Sequence, residues 1–271
     1  GPGILDEPPG PEAAAEAGRT AAGTAPEAAL VSPMGDLPSG AAFGTLVHSV
    51  LERVDFAASD LVAELTSAAE AEGSERFVGV APAVLAEALA PSLRTSLGPL
   101  AGDLRLADVA TTDRLDELVV KRPLAGGDEP TGAVPVHEIA ALLRRHLPAD
   151  DPLAGYADDL DVPLLNERRL RGFLTGSIDL VLRVRAGDGT PRYLVADYKT
   201  NRLGASDVPT AEDYGPTEVA TAMRMAHYPL QALLYSVALH RYLRWRQPGY
   251  DPAVHLGGVL YLFLRGMCGP Q

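Results

Sequence analysis

Asp179, Asp197 and Lys199 are the residues whose types and spacing could do chemistry in this chain of 271 residues. They lie in Gly176-Ser-Ile-Asp179-Leu-Val-Leu and, after a short polar turn, in Tyr193-Leu-Val-Ala-Asp197-Tyr-Lys199-Thr-Asn201. Two carboxylates brought side by side repel unless something cationic lies between them. A divalent metal with oxygen ligands supplies that charge, and a lysine on the same face adds a second positive group.

The elements that must position them read as a β-hairpin. In the first arm Leu174, Gly176, Ile178, Leu180, Leu182 and Val184 share one face, and Thr175, Ser177, Asp179 and Val181 the other. In the second arm Leu194 and Ala196 oppose Tyr193, Val195, Asp197 and Lys199. The loop Ala186-Gly-Asp-Gly-Thr190 is rich in turn formers. Closed symmetrically about Asp188, it sets Arg185 against Pro191, Leu182 against Leu194, Leu180 against Ala196, and Asp179 against Asp197. Opposed Cβ atoms sit roughly 4.5–5.5 Å apart. A bulge or an off-centre turn shifts this register. The bland alternative is a surface hairpin with scattered charges.

Upstream, Ser39 is the expected cap of a helix running to about Asp55. Phe43, Leu46, Val47, Val50, Leu51 and Val54 form its apolar stripe. His48 lies off that stripe on the side of Glu52, where a surface pairing with Glu52 is the plain reading. Further helices are expected at Leu61–Glu72, Ala81–Ala90 and Leu93–Leu97, and a strand from Asp113 to Leu124. That strand puts Glu117 between Leu115 and Val119, a costly place for an unpartnered carboxylate. A turn is expected at Gly126–Pro130, a helix at Pro135–Leu147 and an acidic loop at Asp150–Pro163. Asn201–Gly215 is long enough to be a lid over the site. Helices follow at Glu218–Met225 and from Tyr228 to before Pro248. Leu230, Leu233, Leu234, Val237 and Leu243 mark the buried side of the second, with Gln231 and Tyr235 on its polar flank. Gly257–Leu264 is an apolar run suited to a central strand.

Bulk properties set limits. The charge is −13, from 36 acidic and 23 basic residues, which argues against binding nucleic acid through a broad basic surface. The single cysteine, Cys268, rules out an intramolecular disulfide or a cysteine-held cluster within the chain, and a reducing cytoplasm is the expected home. No run of eighteen apolar residues is present, so no membrane span is expected. Residues 1–38 read as a disordered linker or tail, and 39–271 as the functional domain of a longer protein. No Gly-x-x-x-x-Gly-Lys-[Ser/Thr] phosphate loop occurs, so no ATP-driven motor is expected in this chain.

An acidic residue followed by Asp-x-Lys on the next antiparallel strand resembles the PD-(D/E)xK nucleases. Longer strings agree: Phe43-Gly-Thr-Leu-Val-His48-Ser-Val-Leu-Glu52, Tyr228-x-Leu-Gln231-x-x-Leu-Tyr235, and Gly257-Gly-Val-Leu-Tyr-Leu-Phe-Leu-Arg-Gly266. Together they resemble the RecB-type nuclease domains, which serve the helicase–nuclease subunit of RecBCD, across roughly residues 39–266. The resemblance implies an α/β fold with a restriction-endonuclease-like core: a central mixed β-sheet flanked by helices, with an added helical N-terminal part. It implies Mg²⁺, with Mn²⁺ as a substitute, held by His48, Asp179, Asp197 and the Tyr198 backbone carbonyl. It gives Lys199 as the catalytic lysine, with Glu117, Gln231 and Tyr235 completing the site. It implies cleavage of DNA, single-stranded by preference, in double-strand-break processing. The implied partners are DNA, a RecB helicase region, and RecC-like and RecD-like subunits. Two alternatives stay open: a non-catalytic nuclease-like module that binds DNA or partner subunits, and a nuclease of the same fold from a restriction or phage pathway.

Overall fold

A computed structural model describes residues 30–123, 132–151, 153–166, 168–185 and 187–270. The first 29 residues of the expected tail, the turn at Gly126–Pro130 and Ala186 of the hairpin loop lie outside them.

Four helices open the fold: α1 (Ala41–Arg53), α2 (Leu61–Ala71), α3 (Ser74–Val78) and α4 (Pro82–Arg94). The apolar stripe of α1 is buried as its spacing requires, from Phe43 to Val54. Its cap is Gly40 at φ 97°, not Ser39, and no side chain caps it. Asp60 caps α2 by accepting the Ala63 amide at 3.0 Å. α4 runs through Pro91 to Arg94, merging two expected helices. Proline removes one helix hydrogen bond there, but Leu85, Ala86, Leu89 and Leu93 are fully buried, and that packing holds the helix.

The sheet is built from β1 (Arg114–Pro123), β4 (Phe173–Arg185), β5 (Pro191–Lys199) and β6 (Leu256–Phe263), in that spatial order. β1, β4 and β5 run antiparallel, and β6 runs parallel to β5. The hairpin register is the expected one, from Arg185–Pro191 to Leu180–Ala196. β6 lies at the sheet's edge rather than its centre. It approaches β5 closely: a side chain at Gly257 would put its Cβ 2.7 Å from Leu194 Cδ2. A register shift falls there, at Tyr193/Leu194. A small separate sheet pairs β2 (Ala133–Pro135) with β3 (Arg169–Arg171). Beside it lie α5 (Val136–His146), α6 (Tyr156–Leu160) and α7 (Pro163–Asn166), so the expected acidic loop contains one short helix and runs into a second. They form because Tyr156, Ala157 and Leu160 pack on Val136, Ala140 and Leu143 of α5.

Three layers result. Leu180, Leu182, Leu194, Ala196 and Tyr198 face α1, α2 and α4. Ile178, Val181 and Val195 face the long helix α9 (Tyr228–Arg246), which follows α8 (Pro216–Met225) and precedes the single-turn α10 (Pro252–His255). Ile178 therefore lies on the opposite side from Leu180, against the expected alternation. The break falls at Asp179, and Glu117, its register neighbour on β1, has φ 47° and makes no ladder pair. The buried side of α9 is also turned from expectation. Leu234, Tyr235, Ala238, Leu239 and Leu243 are buried, whereas Leu233 and Val237 are exposed.

Residues 30–38, expected as tail, are part of the packed structure. Met34 is fully buried and Val31 bridges to Thr210. Arg265 ties this segment down. Its guanidinium donates to the carbonyls of Met34, Leu37 and Pro38, and to Thr200 O at 2.8 Å. Burial disfavours its charge, and four carbonyl dipoles take the place of a carboxylate partner.

Candidate active site

α1, β4 and β5 converge at the open end of the hairpin. There Asp179 and Asp197 are the next residues beyond the last ladder pair, Leu180–Ala196, and each carboxylate is held differently. Asp179 turns across to accept the Tyr198 amide at 2.9 Å through Oδ2. Its Oδ1 lies 3.4 Å from His48 Nδ1. His48 Nε2 lies 3.0 Å from the Tyr198 carbonyl oxygen. Four donors thus face one another: two carboxylates, an imidazole and a backbone carbonyl. Burial works against the charged imidazole of His48, but the bond to Asp179 and the charges of Asp179 and Asp197 outweigh it and raise its pKa.

Asp197 is 2% exposed. Its Oδ2 lies 2.8 Å from Lys199 Nζ, and its Oδ1 accepts the Tyr235 hydroxyl at 3.0 Å. Burial pushes the Asp197 carboxyl up to about 6, with Lys199 opposing and Asp179 adding to the rise. Lys199 is itself buried. Its ammonium sits 4.1 Å from the Tyr228 ring centre and 5.7 Å from that of Tyr261, and those two rings stack at 5.4 Å. The aromatic faces stabilise the cation where water cannot reach it.

Gln231 and Tyr235 stand one turn apart on α9, on its buried side. Gln231 Nε2 donates to the Tyr235 hydroxyl at 2.9 Å, and the Tyr261 hydroxyl lies 3.0 Å from Gln231 Oε1. A chain of hydrogen bonds therefore runs from Tyr261 through Gln231 and Tyr235 to Asp197. These residues hold the carboxylate from behind. Tyr228 and Tyr261 were not singled out from the sequence; the signal was Tyr261 at an alternate position of the β6 run.

Glu117, opposite Asp179 in the β1–β4 register, lines the same cavity as this cluster. It is exposed at the cavity edge, and its carboxyl meets that of Glu52, whose pKa rises through burial and the Glu117 charge. The neighbours expected to bury it, Leu115 and Val119, are exposed, so the strand face is open. Glu52 faces Glu117 and not His48. The Asn201–Gly215 segment starts beside the site, where Asn201 Oδ1 accepts the Tyr228 hydroxyl at 3.4 Å, and is tied down beyond it. Tyr214 pins it by donating to Asn201 O at 3.0 Å, and Ala211 N donates to Leu30 O. None of its residues is among those lining the cavity.

That cavity, about 940 Å³, contains His48, Asp179, Asp197 and Lys199 on one wall. The donor set fits a hard divalent cation, because Mg²⁺ takes one or two carboxylates and keeps waters in its remaining positions. Among the described residues no three His, Cys, Asp or Glu side chains are grouped closely enough to hold a metal by themselves, so the Tyr198 carbonyl would have to contribute.

The sequence pattern of the PD-(D/E)XK nuclease superfamily matches residues 21–269. The chain belongs to this superfamily. It is similar to the RecBCD enzyme subunit RecB of Mycolicibacterium smegmatis, 53% identical over 240 residues, covering 88% of this chain and 22% of that protein. RecB of Mycobacterium tuberculosis is 52% identical over 246 residues, covering 89% and 22%. RecB of Escherichia coli is 34% identical over 230 residues, covering 85% and 17%. The chain thus spans about a fifth of the length of these relatives. The mixed sheet, its flanking helices and the helical N-terminal part are those expected of the superfamily. Among the described residues no helix is long and apolar enough to cross a membrane.

Proposed function

We propose that this chain is a Mg²⁺-dependent deoxyribonuclease domain that hydrolyses phosphodiester bonds, preferring single-stranded DNA. The observation that carries the reading is the buried Asp197–Lys199 pair facing Asp179, His48 and the Tyr198 carbonyl in one cavity.

Asp179, Asp197, the Tyr198 carbonyl and His48 would hold the metal, which supplies counter-charge for the negative charge that develops on phosphorus. Lys199, fixed between Asp197 and the Tyr228 ring, orients the attacking water and donates to a non-bridging phosphate oxygen. Tyr235 and Gln231 keep Asp197 ionised and aimed. At neutral pH Asp197 is above its pKa of about 6 and offers a full carboxylate. Glu117 and Glu52 at the cavity edge add negative potential beside the site.

The domain serves a RecBCD-type helicase–nuclease in double-strand-break processing and recombinational repair. A RecB helicase region and RecC-like and RecD-like subunits feed it a strand. Cleavage by the chain alone is therefore ATP-independent and weak, since a chain of charge −13 has little electrostatic grip on DNA. The test uses labelled single- and double-stranded DNA with Mg²⁺, with and without chelator. Mg²⁺-dependent loss of single strand is expected. Cleavage unaffected by chelator, or none at any Mg²⁺ or Mn²⁺ concentration, counts against the proposal.

A further inference from the structure

The cavity is larger than the catalytic cluster needs. It continues from Asp179 along the outward face of β1 and β4. Glu117, Val119 and Lys121 line it from β1, and Thr175, Ser177 and Asp179 from β4. Past the break at Asp179 and Glu117, Val119 pairs with Ser177 and Lys121 with Thr175, so these four share one side of the sheet. Lys121 is paired with Thr175, four residues from Asp179. At about 3.3 Å per residue, that sets Lys121 about 13 Å along the sheet from the catalytic carboxylates. Aliphatic side chains also line the cavity: Val136, Leu160, Leu165 and Leu170, from α5, α6, α7 and β3. Arg168, exposed between α7 and β3, lines the same cavity.

We propose that this second arm seats the DNA strand adjoining the cut, with Lys121 and Arg168 contacting its phosphates. The inference rests on the nuclease reading and adds a substrate subsite to it.

Charge distribution favours this occupant. Glu52, Glu117, Asp179 and Asp197 line the cavity around the hairpin, Lys121 lines it further along β1, and Arg168 lines it as well. A polyanion with one phosphate presented to a cation at the hairpin carboxylates places its next phosphates within the cavity that Lys121 and Arg168 line. On a chain of charge −13, such local cations are the available source of phosphate affinity. The wall chemistry sets selectivity. Aliphatic side chains and the Thr175 and Ser177 hydroxyls carry no fork matched to a base edge, so the arm reads backbone and not sequence. A volume of about 940 Å³ is large enough for a short stretch of single strand.

The test compares this chain with Lys121→Ala, Arg168→Ala, the double variant, and the charge-keeping Lys121→Arg and Arg168→Lys. Binding of fluorescein-labelled oligo-dT of sixteen nucleotides is followed by anisotropy in chelator across a salt series. Cleavage of 16-mer, 8-mer and dinucleotide is then followed in Mg²⁺. Each Ala variant is expected to weaken 16-mer binding on the order of ten-fold, as loss of a charged hydrogen bond does. The double variant should flatten the log Kd against log salt slope by about 1.4, at about 0.7 per phosphate contact on single strands. In cleavage, KM should rise far more than kcat falls, and the deficit should shrink with substrate length. The charge-keeping variants should recover most of the loss. Unchanged Kd, KM and salt slope in the double variant overturns the inference. So does a loss equal on dinucleotide and 16-mer. A chain that binds with the expected slopes but never cleaves overturns the nuclease reading and leaves strand binding in this arm supported.

Discussion

Tyr235→Phe removes one oxygen atom and tests how the site is tuned. That hydroxyl lies between Gln231 Nε2 at 2.9 Å and Asp197 Oδ1 at 3.0 Å, in a side chain that is 3% exposed. No water can replace it at such burial without rearrangement. A hydrogen bond to a charged group contributes about 1.5–3 kcal/mol. Taking about 2 kcal/mol from the ionised form of Asp197 raises its pKa by roughly 1.5 units, at about 1.36 kcal/mol per unit. The starting value is about 6. In the variant a proton therefore competes with metal for Asp197 at pH 7. Apparent Mg²⁺ affinity at pH 7, read from cleavage rate against Mg²⁺ concentration, should fall about four-fold, as set by the share of Asp197 that the shifted pKa leaves protonated. The deficit should shrink at pH 9, where the carboxyl ionises again. A deficit equal at pH 7 and pH 9 would refute the proton-competition argument. Unchanged Mg²⁺ dependence at both would refute the role given to Tyr235.

Other outcomes follow from the same contacts. Lys199→Ala should abolish cleavage and also destabilise the fold by about 3–5 kcal/mol, because it strands the buried Asp197 charge; full cleavage by a well-folded variant contradicts this. Asp197, ordinarily near 3.8, is raised to about 6 in the fold, so its contribution to stability is present below pH 3.8 and lost as the pH rises through 6. The thermal stability of the metal-free chain relative to Asp197→Asn should accordingly fall between pH 4 and 7, and Mg²⁺ should raise Tm more at pH 7.5 than at pH 5. A Tm difference independent of pH would count against that linkage. Arg265→Met leaves the carbonyls of Thr200, Leu37 and Pro38 without their donor. It should cost about 3 kcal/mol and lower Tm by roughly 6–12 °C, with the 30–38 segment becoming the first site of limited proteolysis.

The hairpin was legible because its alternation and its near-symmetric turn formers dictate one register, and β4–β5 has that register. Its open end was not. The alternation breaks at Asp179, where Glu117 takes a left-handed backbone conformation, and no residue pattern announces such a break. The stripe of α1 was readable, yet His48 lay off it, and its role came from the resemblance of the surrounding string. The long helix α9 misled because it carries apolar residues on several sides. Leu233, Val237 and Trp245 are exposed, while Tyr235 is buried to reach Asp197. Arg265 could be read only as part of a string. Its function depends on carbonyls more than two hundred residues away, which local sequence does not reveal.

Calorimetric titration of Mn²⁺ into this chain and into Asp179→Ala and Asp197→Ala tests the central claim most directly. The account predicts one saturable binding process in the unaltered chain and its loss in both variants, together with loss of single-strand cleavage. No saturable heat in the unaltered chain, or equal heats in all three, would contradict a metal-dependent centre at the hairpin.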